Sequence, residues 1–447
     1  MQLTSRHFYQ FSGFHSLIIG LLPFFLPVLL WDRGYSIAGI AAFISLTGVG
    51  FIGTLWGWDR LREHRQWKAI ILLSFIAELC LVALLAIDTT SVVFVGLALI
   101  NGAYNCFYWS TQRAMFNQIT TAGNTGRTFG NIQILVVVLL KVGILIGGYL
   151  LENNGVTPIL VLSLVIASIA AWQLLTRNNS PHEISQKSSS DIRPTNEPAL
   201  SLSEIVGFKD NHRSKLVFLL DGPFLFLESY FWVLSLYFLT QQSFLTLGVV
   251  VVSLTLLLSI AFYFIKNKID NINQQKVFTV AILLYALSWL LRGDLSANNS
   301  AGNSVVNSTE FNHITLYSTI LIIGFLTTFF RLVFNKRFFD LARDNTPYRY
   351  LLCKSYYSQF GIALAFGLIA LLLFSTGDQT NIDMSVVYFI ASPFALIYGA
   401  YSILYSSTTG DSDISGRHTQ MLSSLTHPFL SIKQYVTTRH SRLVNKR

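Results

Sequence analysis

The chain contains few charged residues, and this scarcity excludes an ordinary water-soluble protein. Of its 447 residues only 12% are charged, whereas 52% are hydrophobic and the mean hydropathy is +0.52. Typical soluble domains carry about 25% charged residues. A surface so poor in charge must face lipid, so we expect a membrane protein.

Cysteines and metal-binding motifs are also scarce. Cys80, Cys106 and Cys353 are odd in number and widely separated, which is typical of small packing residues and excludes a disulfide framework. The sequence has neither the His/Cys spacing of a zinc site nor a Gly-x-x-x-x-Gly-Lys phosphate loop. These absences argue against a metalloenzyme and a nucleotide-driven pump, so the sequence predicts no enzyme, no cofactor and no metal.

Long apolar runs dominate what remains. Segments of roughly 20 residues, each able to cross a hydrocarbon core about 30 Å thick, occur about twelve times. Helix is the expected conformation, because an open strand in lipid would leave backbone groups unpaired. The predicted spans are residues 11–31, 35–57, 68–87, 90–112, 128–151, 156–176, 215–239, 243–265, 276–292, 313–336, 353–376 and 384–405.

Basic residues fall almost entirely in alternate gaps between these spans. The odd-numbered gaps hold only Arg33 and Arg292 as basic residues. By the positive-inside rule, the even-numbered gaps and both termini are cytoplasmic, in a plasma membrane or bacterial inner membrane. We attribute the net charge of +9 to topology and contact with anionic lipid, and we expect no nucleic-acid partner. The basic residues of the even-numbered gaps are Arg60, Arg62, Arg65, Lys68, Arg113, Arg127, Lys266, Lys268, Lys276, Lys336, Arg337, Arg343, Arg349 and Lys354.

A polar stretch divides the spans six and six. It contains Ser188-Ser189-Ser190 and two prolines, a composition typical of a flexible cytoplasmic linker. The two halves have similar features in parallel order, including a proline in the first helix of each half, at Pro23 and Pro223. Such prolines weaken a helix near transporter binding sites, although a simple packing kink gives the same pattern. The predicted boundaries are 1–176 for the N-terminal half, 177–214 for the linker, 215–406 for the C-terminal half and 407–447 for a basic cytoplasmic tail.

This organisation resembles the major facilitator superfamily over nearly the whole chain. After its second helix that family commonly shows Gly-x-x-x-Asp-Arg-x-Gly-Arg-Arg. The corresponding stretch here is 55–64, in which Asp59 and Arg60 fit the motif while Leu55 and Arg62 replace its two glycines. The resemblance implies an all-helical fold of twelve transmembrane helices in two parallel six-helix halves.

The resemblance also implies a cytoplasmic gate. It assigns to Asp59, Arg60 and Arg113 the closing of the cytoplasmic side through contacts with neighbouring helix ends. The alternative is that these residues form a juxtamembrane charge cluster that only fixes the topology.

Two further family motifs are incomplete. Proton-coupled members often show Arg-x-x-Gln-Gly in the fourth helix, where this chain has Ala98 at the arginine position and Asn101-Gly102 at the end. The antiporter pattern of the fifth helix is reduced to Gly143-x-x-x-Gly147 without a proline, and small residues at this spacing mainly let two helices approach. We therefore do not predict drug/proton antiport, although protons remain one candidate coupling ion.

Ionisable residues inside the spans are the candidate substrate or coupling residues. A charge at the centre of a membrane helix costs about 2.5–3.5 kcal/mol on insertion scales, so such residues usually face a partner or a water-filled cavity. Lys141 and Glu228 are expected near mid-bilayer, as a substrate or proton site or as a structural ion pair. Asp221 lies seven residues before Glu228 and should share its face.

Other embedded polar residues are secondary candidates. Arg331 could pair with an anionic substrate or extend to the lipid headgroups. Asn101 and Asn105 begin a polar stripe on the fourth helix. Glu78 and His15 are expected to be lone ionisable groups, and a structural role is favoured for His15 over proton sensing.

The sequence therefore predicts a secondary carrier for a small polar or amphiphilic solute, working by alternating access. The stretch from Tyr108 to Arg113 is similar to facilitators associated with siderophore systems, which adds organic anions such as siderophores to the candidate substrates. The alternatives are a non-transporting receptor or sensor of carrier fold and an exporter of drugs or other metabolites. The expected partners are the small-molecule substrate and membrane lipid, and the expected state is a monomer.

Overall fold

The computed structural model describes residues 5–87, 90–119, 125–176, 198–210, 212–269, 274–301, 311–344, 347–375 and 384–403. Across these residues the chain is helical, without a strand. Nine of the described helices are long and apolar enough to cross a membrane, and a bent pair at the beginning would make a tenth. The protein is thus an all-helical integral membrane protein, as the composition predicts. Two further apolar stretches, Phe244–Leu258 and Met384–Gly399, do not reach this length within the residues searched, so the predicted count of twelve is not confirmed.

The first part of the chain is a series of closely spaced helices. Short turns join most of them, so that neighbours along the chain are usually neighbours in space. The helices are α1 (Ser5–Leu21), a 3₁₀ turn (Pro23–Phe25), α2 (Leu26–Asp32), α3 (Ile37–Glu63), α4 (Trp67–Leu85), α5 (Ser91–Ile119), α6 (Thr125–Asn154) and α7 (Thr157–Thr176).

The second part begins with a short helix and continues with further apolar helices. The elements are α8 (Leu202–Val206), α9 (Ser214–Phe226), a π-helical turn (Leu227–Phe231), α10 (Trp232–Leu239), α11 (Phe244–Ile269), α12 (Gln274–Ala301), α13 (Phe311–Asp344), α14 (Pro347–Ser375), α15 (Met384–Ala395), a 3₁₀ turn (Leu396–Gly399) and α16 (Ala400–Ile403).

Glycine and small residues allow several helices to cross at short range. Helix α1 packs on α6 and helix α9 packs on α14. A side chain at Gly147 would overlap the carbonyl oxygen of Leu21, and one at Gly361 would overlap that of Leu219. The spacing Gly143-x-x-x-Gly147 therefore serves helix approach, as the sequence predicts.

Both predicted proline-containing helices are irregular. The first is bent by 44° between α1 and the segment that starts at Pro23. The second contains Pro223 inside α9 and continues into the π-helical turn that carries Glu228. Since proline lacks a backbone donor, each break leaves the local hydrogen-bond ladder incomplete. Single π turns of this kind occur frequently at functional sites.

Three basic residues that we counted with the gaps, Arg292 and Lys354 at the very edge of a predicted span, lie within helices. Arg113 belongs to α5, Arg292 to α12 and Lys354 to α14, and Arg292 and Lys354 are buried. The helices extend past the apolar runs, because hydrogen-bonding partners from other helices offset the cost of these charges. The hydropathy pattern alone could not show this.

The end of the predicted linker is ordered. Ser201 caps α8, since its hydroxyl accepts from the Glu204 backbone while the Glu204 carboxylate accepts from the Ser201 backbone. A flexible linker is therefore the wrong description for 198–210. Residues 177–197 and the predicted basic tail 407–447 lie outside the described residues.

Candidate functional site

Four charged side chains from three helical segments meet inside the spans of the second part of the chain. We call Asp221, Glu228, Arg331 and Lys354 the charged cluster. Arg331 donates from Nη1 to Asp221 Oδ1 at 2.6 Å, and from Nε and Nη2 to the two oxygens of Glu228 at 3.0 and 3.1 Å. Lys354 Nζ lies 3.0 Å from Asp221 Oδ2. Two cations thus balance two carboxylates, which is how buried charges are tolerated.

The local structure of α9 explains why both acids reach one arginine. Asp221 and Glu228 are seven residues apart, so they lie near one face of the helix, as the spacing predicts. Glu228 is in the π-helical turn. Arg331 comes from α13 with a planar guanidinium that can donate to several carboxylate oxygens at once. The arrangement is a bridge between α9, its π turn and α13.

Tyrosines complete the hydrogen bonding of the acids. Tyr285 donates its hydroxyl proton to Glu228 Oε1 at 2.5 Å, and Tyr398 donates to Asp221 Oδ1 at 2.9 Å. The ring of Tyr285 stacks on Phe330 with centroids 4.0 Å apart. Asp221 is 1% exposed, whereas the side chains of Glu228 and Arg331 are each 15% exposed. The Glu228–Arg331 side of the cluster is therefore the side that a solute could reach.

Further cations within the described spans form no direct ion pair with a carboxylate of the described residues. Arg292 donates to Ser288 Oγ at 2.9 Å and to Thr327 Oγ1 at 2.8 Å, and its Nε is buried without a hydrogen-bond partner. Its guanidinium lies 4.4 Å from the centre of a Trp289 ring. Arg113 donates to a serine hydroxyl of α14. The balance of the described embedded charges is therefore positive.

Lys141 does not pair with Glu228. Both oxygens of Glu228 are already bound by Arg331, and one of them by Tyr285 as well. Among the described residues Lys141 has neither an ion pair nor a hydrogen bond. The structural ion pair that we considered from the sequence is therefore not formed, because Glu228 pairs with Arg331 instead.

Asn101 connects α5 to the π-helical turn. Its Nδ2 donates to Tyr230 at 2.9 Å and to Thr47 of α3 at 3.2 Å. Asn105 donates to the backbone carbonyl of Asn101 at 2.8 Å. The two asparagines share a helix face, as their spacing predicts. Their amide groups donate to other protein groups rather than facing an open cavity.

The predicted gate residues occupy different positions. Asp59 accepts from Arg62 Nε at 2.8 Å, from the backbone of Leu200 at 2.9 Å and from the Tyr348 hydroxyl at 3.5 Å. It therefore joins α3 to the segment before α8 and to α14. Arg60 instead lies over Trp56 with its guanidinium 3.8 Å from the ring centre, and it is exposed.

Sequence reasoning missed several members of these networks. Lys354 has the same sequence signal as a topological charge at the start of an apolar run, so only the helix packing reveals its role. Tyr285 and Tyr398 are indistinguishable in sequence from the many aromatic residues that face lipid. The expectation that His15 and Glu78 are lone groups is wrong, since their side chains form a buried contact of 2.7 Å.

Comparisons with known proteins identify the fold. No protein-family model matches the sequence, and no curated protein sequence matches it. Similar solved structures include two crystal structures of the nucleoside transporter NupG. A point mutant has a TM-score of 0.62 at 14% identity and covers 90% of this chain and 99% of its own. The other has a TM-score of 0.61 at 14% identity and covers 92% and 100%. The comparisons give no support to the siderophore-associated likeness, and they show that the chain has the same fold as these transporter structures.

Proposed function

We propose that this protein is a secondary transporter that moves a small polar solute across the membrane by alternating access. The observation that carries the proposal is the charged cluster, buried among the spans of a transporter fold and partly accessible at Glu228 and Arg331. Ionisable residues inside a membrane protein mark substrate or ion pathways. A broken helix at the same place supports this interpretation.

The proposed architecture has twelve spans in two parallel halves. The packing of α1 on α6 matches that of α9 on α14, each across glycines, and the first helix of each half is broken near proline. The proposed boundaries are those predicted from the sequence, with both termini in the cytoplasm. Single cysteines at Gln66 and Asn153 should then react with an impermeant reagent from opposite sides. Reaction of both from one side would contradict this topology.

We further propose that the solute carries negative charge. Among the described residues Arg292 and Lys141 form no ion pair within 4.0 Å of a carboxylate, and the hydrogen bond described for Arg113 is to a hydroxyl. A cation in a low-dielectric interior is strongly stabilised by an anion within contact distance. An anionic solute near Arg331 would compete with Glu228 for the guanidinium, and this exchange offers a reason for a conformational change on binding.

The remaining candidate residues have supporting roles in this proposal. Asn101 and Asn105 hold α5 against the π turn, and Asp221 positions Arg331. Asp59, Arg60 and Arg113 form the proposed cytoplasmic gate, for which the contacts of Asp59 with Leu200 and Tyr348 are the support.

A nucleoside is the second candidate solute. The similar structures are those of a nucleoside transporter, and the fold alone is shared at 14% identity. Neutral nucleosides would use the amide and phenol groups around Asn101 and Tyr230 rather than the surplus of positive charge. The charge of the transported solute therefore distinguishes an organic anion from a nucleoside.

The test is counterflow in liposomes that contain the purified protein. Vesicles are preloaded with unlabelled succinate, citrate, uridine or adenosine, and entry of the labelled solute is followed. We expect counterflow of an organic anion, its loss in Arg331→Gln, and its retention in the exposed control Lys68→Gln. Counterflow of nucleosides alone would contradict the anionic solute. Uptake that unlabelled internal solute does not accelerate would indicate a channel or a binding receptor.

A further inference from the structure

A second ionisable pair lies outside the charged cluster. His15 of α1 and Glu78 of α4 approach to 2.7 Å between Nδ1 and Oε2, and both side chains are 0% exposed. Each residue is about 15 Å along its helix from the first residue of that helix, at 1.5 Å per residue. The pair is therefore buried between helices within the predicted spans, and the proposed solute site does not use it.

The pair is enclosed by apolar and phenolic groups. The His15 ring stacks on Phe75 with centroids 4.0 Å apart and meets the edge of Phe11 at 4.6 Å. Tyr104 and Tyr108 of α5 are the titratable side chains that face it.

Other helices packed on α1 and α4 bring no further titratable partner to the pair from the described residues. Helix α7 has no ionisable residue between Thr157 and Thr176. Helix α3 carries its ionisable residues only from Asp59 to Glu63, at the end that meets the start of α4. The described ionisable side chains of α6, none of which contacts His15 or Glu78, are Lys141, Tyr149 and Glu152.

The hydrogen bonds fix the number of protons on the pair. Ser74 donates its hydroxyl proton to the Ile71 carbonyl at 2.7 Å, so at the 2.9 Å contact with His15 the serine oxygen must accept from Nε2–H. At 2.7 Å a lone pair on Nδ1 would be repelled by a carboxylate oxygen, so we assign one proton to the contact between Nδ1 and Oε2. The pair is neutral overall with this proton on either atom. Without it, the pair is a buried carboxylate beside a neutral imidazole, which such an enclosed site strongly disfavours.

The pair also connects to the contact between α5 and the π-helical turn. Tyr104, which faces the Glu78 carboxyl, lies three residues after Asn101 on α5. Tyr230 accepts from Asn101 and shares the π turn with Glu228. Protonation of the pair can thus influence the segment that holds the charged cluster.

We propose that the His15–Glu78 pair is the proton-coupling site of this transporter, taking up one proton from one side of the membrane and releasing it to the other in each cycle. In the loaded form the proton bridges Nδ1 and Oε2. Release requires a conformation in which water reaches the pair, and the negative charge left on Glu78 is then solvated. This inference rests on the proposed transport function.

The experiment separates proton coupling from solute movement. In the same liposomes, counterflow at equal pH requires no net proton movement, whereas accumulation driven by a pH gradient does. For the panel solute with the fastest wild-type counterflow, Glu78→Gln should keep counterflow within about twofold and lose gradient-driven accumulation, since an amide has no proton to release at neutral pH. The exposed control Asp294→Asn should keep both.

Each outcome decides the proposal. Gradient-driven accumulation that persists in Glu78→Gln would overturn the coupling role, while the transport function would stand. Absence of wild-type counterflow for every panel solute would contradict the transport function and with it this inference. Should Glu78→Gln give little folded protein, Glu78→Asp keeps a carboxyl and should retain accumulation with a displaced pH dependence. Accumulation that merely follows folded yield in both variants would show a packing role only.

Discussion

Arg331 is the residue on which the charged cluster depends. Among the described residues it alone bridges Asp221 and Glu228, with three hydrogen bonds between 2.6 and 3.1 Å. The depth of these three residues could be predicted from the sequence, because ionisable residues are rare in apolar runs. Their pairing could not, because it depends on how each helix is rotated about its axis. For this reason Glu228 was paired with Lys141 as one alternative, whereas its partner comes from α13.

This pairing predicts which substitutions are coupled. Arg331→Leu should lower the free energy of unfolding by about 3–5 kcal/mol, because it leaves two buried carboxylates without their shared cation. Adding Glu228→Leu should restore part of that loss. Lys141→Leu and Glu228→Leu should instead be additive within about 0.5 kcal/mol, since these residues share no contact. Unfolding in denaturant gives the stability of each single and double variant. Equal coupling energies for the Arg331–Glu228 pair and the Lys141–Glu228 pair would contradict the observed partners.

At the scale of single elements, glycines determine how closely the helices approach. Gly147 and Gly361 have neighbouring backbone where a side chain would lie, whereas Gly53 has open space around that position. The glycine spacing on α6 could be read from the sequence as a close helix contact. The π turn after α9 could not, because no residue type uniquely encodes it.

Substitution at these glycines should have opposite effects. Gly147→Ala should destabilise the protein by about 1–3 kcal/mol, because the added methyl group must displace the α1 backbone. The matched control Gly53→Ala should stabilise it by up to about 1 kcal/mol through the helix propensity of alanine. Thermal unfolding of the two variants provides the comparison. If Gly147→Ala does not lower the unfolding temperature, α1 and α6 are farther apart than described.

The capping box of α8 should make that helix sensitive to acid. Hydrogen bonds from the backbone and side chain of Ser201 lower the pKa of Glu204 from its ordinary value of 4.5. A depressed folded-state pKa means that the contribution to stability is present above pH 4.5 and is lost as the pH falls through the lower, folded value. The protection of 201–206 against hydrogen exchange, measured relative to the intrinsic rate at each pH, should therefore fall at acid pH. In Glu204→Gln, which has no carboxyl to protonate, the exchange should lose this extra pH dependence; an unchanged profile would exclude the carboxyl as its source.

At the scale of the whole molecule, the ordered end of the linker joins distant parts of the sequence. Asp59 of α3 accepts from the backbone of Leu200 and from Tyr348 of α14, and Arg62 lies over the Tyr348 ring at 4.1 Å. The membrane class and the all-helical fold could be predicted from the composition and the long apolar runs. The docking of 198–206 could not, because its composition is that of a solvated linker and its order comes from the side chains that receive it.

These contacts predict the effect of removing one charge. Asp59→Asn keeps the shape but replaces one accepting oxygen with a donor, which would face either the Arg62 guanidinium or the Leu200 amide. Leaving a buried donor unsatisfied costs about 1–3 kcal/mol, so the closed arrangement of α3, α14 and the linker should become less populated. Counterflow should then slow by about tenfold or more if closing limits the cycle, since about 1.4 kcal/mol corresponds to tenfold in an equilibrium. Glu63→Gln, at the exposed end of the same helix, is the matched control. If Asp59→Asn folds in normal yield and its counterflow is unchanged, these residues do not act as a gate and serve only to fix the topology.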